Sequence, residues 1–146
     1  HNLPFADQSF DLIVSRNVTH ALRNNEQVYA EWKRVLRPGG ILLIFDANWH
    51  LQITDPKCLE DFQKREEECF EQFGTNFSGG VREARKECGV HRLGTVIRPG
   101  WDLEILKKLG YSQIDTEENL IEELWDEKEK LLYGGTPLFM IRVKYD

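Results

Sequence analysis

Two short apolar runs near the amino end organise this chain. Asp11-Leu12-Ile13-Val14-Ser15 has an uninterrupted apolar centre, the pattern of a strand buried on both faces of a parallel sheet. Ile41-Leu42-Leu43-Ile44-Phe45 is the most apolar run of all and too short for a buried helix, so it predicts a central strand. Between them Asn24 predicts a helix N-cap, with Gln27 three residues on to reach back. Val28, Trp32, Val35 and Leu36 then recur at helical spacing and form one stripe. Pro38 disfavours helix at Arg37, and Gly39-Gly40 permit a sharp turn. Strand, crossover helix and strand in this order predict a right-handed parallel unit.

The pattern changes from about Leu51 to Val96. Asp55-Pro56 opens a helix whose Leu59, Phe62, Cys69, Phe70 and Phe73 lie mostly along one side. Gly74 and Ser78-Gly79-Gly80 break it, and residues 81–88 predict a further short helix. Residues 51–96 therefore read as a helical insertion within a single domain over 1–146, either a lid over a site or ordinary packing against the sheet. Asp102 is placed to cap a last core helix, with Leu103, Leu106 and Leu109 inward, Gly110 as its stop and Trp101 in the core. Tyr111-Ser112-Gln113-Ile114 predicts a strand. The acidic stretch after it predicts a helix facing Leu120, Ile121, Leu124 and Leu131 inward. Gly134-Gly135 turn the chain into a last strand over 138–143, suited to antiparallel insertion.

Composition narrows the function classes. Among 146 residues, 40% are hydrophobic and 30% charged, which suits one folded domain. Lys+Arg 19 against Asp+Glu 25 leave a net charge of −6, the wrong sign for a surface that grips phosphate backbones, so no nucleic-acid partner is expected. Residues 115–130 hold eight acids against two bases, the whole net charge of the chain, and read as a solvated helix face. No apolar run approaches the roughly 18 residues that span a bilayer, so no membrane partner is expected. Cys58, Cys69 and Cys88 form no CxxC pair, which points to reduced thiols and a cytoplasmic setting. On one straight helix Cys58 and Cys69 would stand about 16 Å apart, beyond the roughly 7 Å that a disulfide bridges. No zinc-like pairing of histidines and cysteines is present, so no metal is expected. The chain opens on His1 and its one methionine is Met140, so it reads as the product of a longer gene.

In an open α/β sheet, ligands bind beyond the carboxyl ends of the strands. That rule selects Ser15-Arg16-Asn17-Val18-Thr19-His20 after the first run and Asp46-Ala47-Asn48-Trp49-His50 after the second. Asp46, Trp49 and His50 are candidate substrate-binding residues. Trp49 offers a flat apolar wall whose face attracts positive charge, or else it anchors the insertion. His20 is the candidate catalytic residue, because imidazole suits removal of a proton from a hydroxyl or amine near neutral pH; its alternatives are substrate contact and a structural hydrogen bond.

Three segments together carry a family resemblance. Leu3-Pro4-Phe5-Ala6-Asp7-Gln8-Ser9-Phe10-Asp11, then Ser15-Arg16-Asn17-Val18-Thr19-His20, then Lys33-Arg34-Val35-Leu36-Arg37-Pro38-Gly39-Gly40 resemble the second half of a class I S-adenosylmethionine-dependent methyltransferase. The likeness is to the subfamily that methylates small molecules, and Arg98-Pro99-Gly100-Trp101 with Gly110-Tyr111 extends it faintly. It implies an α/β, Rossmann-like methyltransferase sheet that is incomplete here: strands four to seven with helices, the last antiparallel, plus the helical insertion. It implies S-adenosylmethionine as cofactor and a small-molecule substrate. Asn2 and Leu3 match the segment lining the adenine pocket. Ser15, Arg16 and Asn17 match the strand-end residues that approach the methionine part, with Val18 packing beneath it. The family's glycine-rich cofactor loop has no counterpart here, since neither Gly39-Gly40 nor Gly79-Gly80 links a strand to a helix N-terminus. The acidic residue that usually precedes the Leu-Pro-Phe motif is also missing.

Two function classes follow. One is methyl transfer to a small organic acceptor, this chain being the carboxyl-terminal part, inactive and without tight cofactor binding on its own. The alternative is a truncated, non-catalytic module acting in assembly, whose bared sheet edge pairs with a second copy into a homodimer. A dehydrogenase on a similar sheet is a weaker third reading, because its dinucleotide fingerprint would have to lie upstream.

Overall fold

The computed structural model describes residues 2–75, 96–118, 120–136 and 138–146. The first apolar run becomes β1 (Phe10–Arg16) and the second lies within β2 (Leu36–Ala47). They pair in parallel, Ile13 opposite Leu42 and Ser15 opposite Ile44. Parallel neighbours need a return path across the sheet face, and α1 (Asn25–Val35) supplies it. Asn24 caps α1 as expected, its side chain accepting from the Gln27 N–H at 3.1 Å. The other strands, β3 (Gln113–Glu117) and β4 (Leu138–Lys144), pair antiparallel, and the sheet order is β1-β2-β4-β3. This is the α/β sheet with an antiparallel last strand that the sequence predicts.

The chain divides into two units. The first comprises the described residues of His1–Ala47, Arg98–Glu118 and Phe139–Asp146, and contains the sheet, α1 and α4 (Gly100–Lys108). Its core joins Tyr29, Leu36, Leu42, Ile44, Leu106, Phe139, Ile141 and Val143, with Trp32, Trp101, Leu103 and Leu109 packed around them. Gly110 ends α4 region as expected, at φ +82°. The second unit comprises the described residues of Asn48–Ile97 and Asn119–Leu138. It holds α2 (Leu51–Thr54), α3 (Pro56–Phe73), α5 (Ile121–Leu124) and α6 (Glu127–Tyr133), with Phe62, Cys69 and Leu132 at its centre.

Several expectations are corrected. β2 begins at Leu36 rather than Ile41: Gly39, at φ +82°, lets residues 37–40 form an irregularity inside the strand, and the register shifts between Phe10 and Leu12. β1 is buried on one face only, with Leu12 and Val14 53% and 56% exposed, because nothing among the described residues covers the other face or its outer edge. β3 starts at Gln113, and Tyr111 packs into the core ahead of it.

Asp55 caps α3 and Gly74 stops it at φ +68°, as the sequence predicts. Phe70 nevertheless faces outward, off the phase of the inner stripe through Phe62 and Cys69, whereas Phe73 keeps that phase but stands at the last residue of α3, 36% exposed, with the Lys128 Nζ 5.1 Å from its ring centre. The acidic helix is two helices: Trp125 turns inward between them, and Asp126 restarts the chain with a capping box to Glu129. Leu132 is buried there, whereas Leu124 is exposed. The short helix predicted over 81–88 lies outside the described residues.

Candidate functional site

Because β1 and β2 are parallel, their carboxyl tips lie side by side, Arg16 opposite Phe45. Asn17 then donates its N–H to the Phe45 carbonyl at 2.9 Å and takes a left-handed conformation, φ +53°, which turns the chain out of the sheet. A single 3-10 turn over Thr19–Ala21 brings His20 over the end of β2. There the His20 Nδ1 lies 2.9 Å from Asp46 Oδ1, and its backbone N–H donates to Asp46 Oδ2 at 2.8 Å. The two segments selected from the sequence therefore meet through His20 and Asp46.

Asp46 has no exposed surface, so its charge has to be compensated from within the protein. Besides His20, the Ala47 N–H donates to Oδ1 at 2.9 Å and the Thr19 hydroxyl donates to Oδ2. The Arg98 Nη1 stands 3.3 Å from Oδ2. Burial by itself would raise the Asp46 pKa, but the hydrogen bond from His20 and the charge of Arg98 outweigh it and hold the carboxyl well below its ordinary range.

Arg98 enters from the segment just before α4. Its side chain is 1% exposed and makes a forked pair with Asp102, Nε to Oδ2 at 2.7 Å and Nη2 to Oδ1 at 2.9 Å. Nη2 also donates to the Thr19 hydroxyl at 2.6 Å, and the guanidinium lies 5.1 Å from the centre of the Phe139 ring. Asp102 thus does not cap α4, as the sequence suggested. It sits inside the first turn, fully buried, and the cap position is Pro99 with no side-chain bond.

The other selected residues fall in different places. Ser15 is buried at the tip of β1 on the same face as Ile13, and its Oγ has no hydrogen-bond partner among the described residues. Arg16, Asn17 and Val18 are exposed beside it. Leu3 lies near the opposite end of β1, its N–H donating to Glu31 Oε1 at 2.7 Å and its carbonyl accepting from Arg34 at 3.2 Å, with Asn2 exposed next to it. The structure does not bring these two together with the strand tips. Trp49 and His50 are buried in the second unit, where Trp49 packs edge-on against Tyr133 and tilted against Trp125.

Thr19 stands within the segment selected after β1 and Arg98 within the faint extension of the family likeness. Their partnership with Asp46 and the role of Asp102 were not legible, because Arg98 lies 79 positions beyond Thr19 and no local pattern links them. Among the described residues, no group of three or more His, Cys, Asp or Glu could hold a metal ion, and no helix is long and apolar enough to cross a membrane.

Comparison with known proteins adds the following. Residues 1–44 match the family described as methyltransferase domain. The chain is 31% identical over 129 residues, 87% of its length, to the hybrid PKS-NRPS synthetase iccA of Talaromyces variabilis. It is 47% identical over 54 residues, 37% of its length, to phthiotriol/phenolphthiotriol dimycocerosates methyltransferase 1 of Mycobacterium ulcerans. It spans 3% and 20% of the lengths of these two relatives. Among solved structures, a SAM-dependent methyltransferase of Thermotoga maritima superposes with a TM-score of 0.56 at 17% identity, over 99% of this chain and 60% of that one.

Proposed function

We propose that the chain is a class I S-adenosylmethionine-dependent methyltransferase segment, a reading supported by the family match over residues 1–44, and that it forms part of an enzyme transferring a methyl group to a small organic acceptor. The observation that carries the reading is the His20–Asp46 pair at the adjoining carboxyl tips of two parallel strands. Open sheets of this class present their chemistry at such tips.

The residues present fit the cofactor's methionine end. Ser15 offers a buried hydroxyl without a partner among the described residues, the left-handed turn at Asn17 exposes backbone beside it, and Val18 adds an apolar contact. Ser15, Arg16, Asn17 and Val18 would hold that end, while Asn2 and Leu3 would serve the adenine side only through backbone that leads away from the tip. When bound, S-adenosylmethionine supplies a methyl group on a sulfonium sulfur.

The work of this chain's own residues is alignment and proton removal. Asp46 accepts from His20 Nδ1 and so orients the ring. Nε2 then carries the lone pair that takes the proton of an acceptor hydroxyl or amine, and the His20 side chain keeps 21% of its surface open for the approach. Trp49 and His50, three and four residues after Asp46 in sequence, are proposed to contact the acceptor. The glycine-rich loop is expected from residues outside this sequence.

A second reading, a module that serves assembly without turnover, is favoured by the exposed Leu12 and Val14 on the edge strand β1. Calorimetric titration of the full-length gene product with S-adenosylmethionine separates the two. Saturable heat at micromolar cofactor supports the enzyme, and no heat at millimolar cofactor refutes it.

A further inference from the structure

We propose that Arg98 is a positioning residue for His20: by fixing the buried Asp46 carboxylate as a hydrogen-bond acceptor, it keeps the neutral imidazole protonated at Nδ1 and basic at Nε2. The inference deepens the reading of His20 as the base and rests on it. It starts from the buried charges. Asp46 and Asp102 are both fully buried carboxylates, and Arg98 is the cation placed between them, 3.3 Å from one and 2.7 Å from the other.

The hydrogen-bond partners of Asp46 described above are donors, the Thr19 hydroxyl, two backbone N–H groups and the His20 ring, and the Arg98 guanidinium adds an ion-pair contact. An ionised carboxylate satisfies all of them, because it can only accept. The ring proton of neutral His20 must then sit on Nδ1, where it donates to Oδ1 over 2.9 Å.

Without the guanidinium, a buried carboxylate beside an imidazole gains by taking a proton from solvent. Its O–H then donates to Nδ1, the ring proton moves to Nε2, and the lone pair needed for base catalysis points at Asp46 instead of outward. Arg98 is itself anchored by the fork to Asp102, which also accepts from the Tyr29 hydroxyl. A buried ion pair of this kind is weak ground for stability, since apolar side chains of equal volume often do as well. Its consequence for the His20 tautomer is specific.

Long-range proton–nitrogen NMR of the full chain above pH 7.5, with His20 assigned through His20→Gln, reads the tautomer directly. The unsubstituted protein is expected to show His20 protonated at Nδ1; protonation at Nε2 overturns the proposal. Arg98→Met is expected to move the majority to Nε2–H and, in the full-length enzyme, to lower kcat at least tenfold with cofactor affinity held within threefold. A folded Arg98→Met that retains Nδ1–H overturns it. Arg98→Lys restores the charge and is expected to return the Nδ1–H majority, which also decides the matter if the methionine variant fails to fold; a folded lysine variant with Nε2–H overturns the proposal. Failure of the cofactor titration would refute the enzyme reading and leave these tautomers unchanged, so the two failures are distinguishable.

Discussion

Tyr29 donates its phenolic hydrogen to the carboxylate of Asp102, 73 residues further along the chain, and neither side chain reaches solvent. Burial, then the neighbouring Asp102 charge, pushes the phenol well above its ordinary range, so it stays a neutral donor at any working pH. The bond ties α1 to α4 and helps fix the carboxylate that holds Arg98. Tyr29→Phe keeps the ring packing and removes one donor from a buried acceptor, which costs about 1–3 kcal/mol. Urea denaturation should show a lower midpoint with an unchanged slope.

His20→Ala tests the proposed base. General-base catalysis contributes about 10²–10⁴ in rate, so kcat in the full-length enzyme should fall by that range. Calorimetric affinity for S-adenosylmethionine should change less than threefold. A loss of affinity that accounts for the whole loss of activity would place His20 in binding instead.

Asp46 gives the chain a pH signature. Its carboxyl is held below its ordinary value of 3.8, so the stability it contributes is fully present above that value and is lost as pH falls through the lower, folded one. Asp46→Asn has no such carboxyl to protonate. The stability difference between the two proteins, from urea midpoints, should therefore be largest above about pH 5 and shrink below 3.8.

Two neighbouring glycines should respond differently. Gly39 has φ +82° and open space where a Cβ would stand, so Gly39→Ala costs about 1 kcal/mol of backbone strain alone. At Gly40 a Cβ would lie 2.8 Å from both the Arg37 carbonyl oxygen and the Leu36 Cδ1. Gly40→Ala must displace backbone and is expected to cost about 2–3 kcal/mol. Thermal melts of the two variants rank them.

On α3, Phe62 is 8% exposed and Phe70 56%. Phe62→Ala empties a packed position and should cost about 3–5 kcal/mol, whereas Phe70→Ala should stay within about 0.5 kcal/mol. Equal effects would show that the outward face of α3 is covered in solution.

Much of the fold was readable because its causes are local. The runs that became β1 and β2 announced themselves by five consecutive strand residues each, Asn24 and Asp55 by their capping chemistry, and Gly74 and Gly110 by the left-handed stops they provide. The misreadings came where helical phase or a distant partner decided the outcome. Phe70 looks like a core residue until the stripe through Phe62 and Cys69 is laid on α3, and Phe73, though on that stripe, is the helix's last residue. Asp102 has the chemistry of a cap, but a guanidinium four residues earlier and a phenol on another helix claim both of its oxygens.

The sequence by itself determined that two parallel strands would end in polar loops and that His20 and Asp46 would each stand in one of them, since apolar runs and the residues after them are properties of short segments. Only the tertiary structure decided that these two side chains meet at 2.9 Å, and that Thr19, Arg98 and Asp102 surround the carboxylate. The reason is physical: a charge buried within one element has to be neutralised by groups from others, and their identity depends on how the chain returns through space.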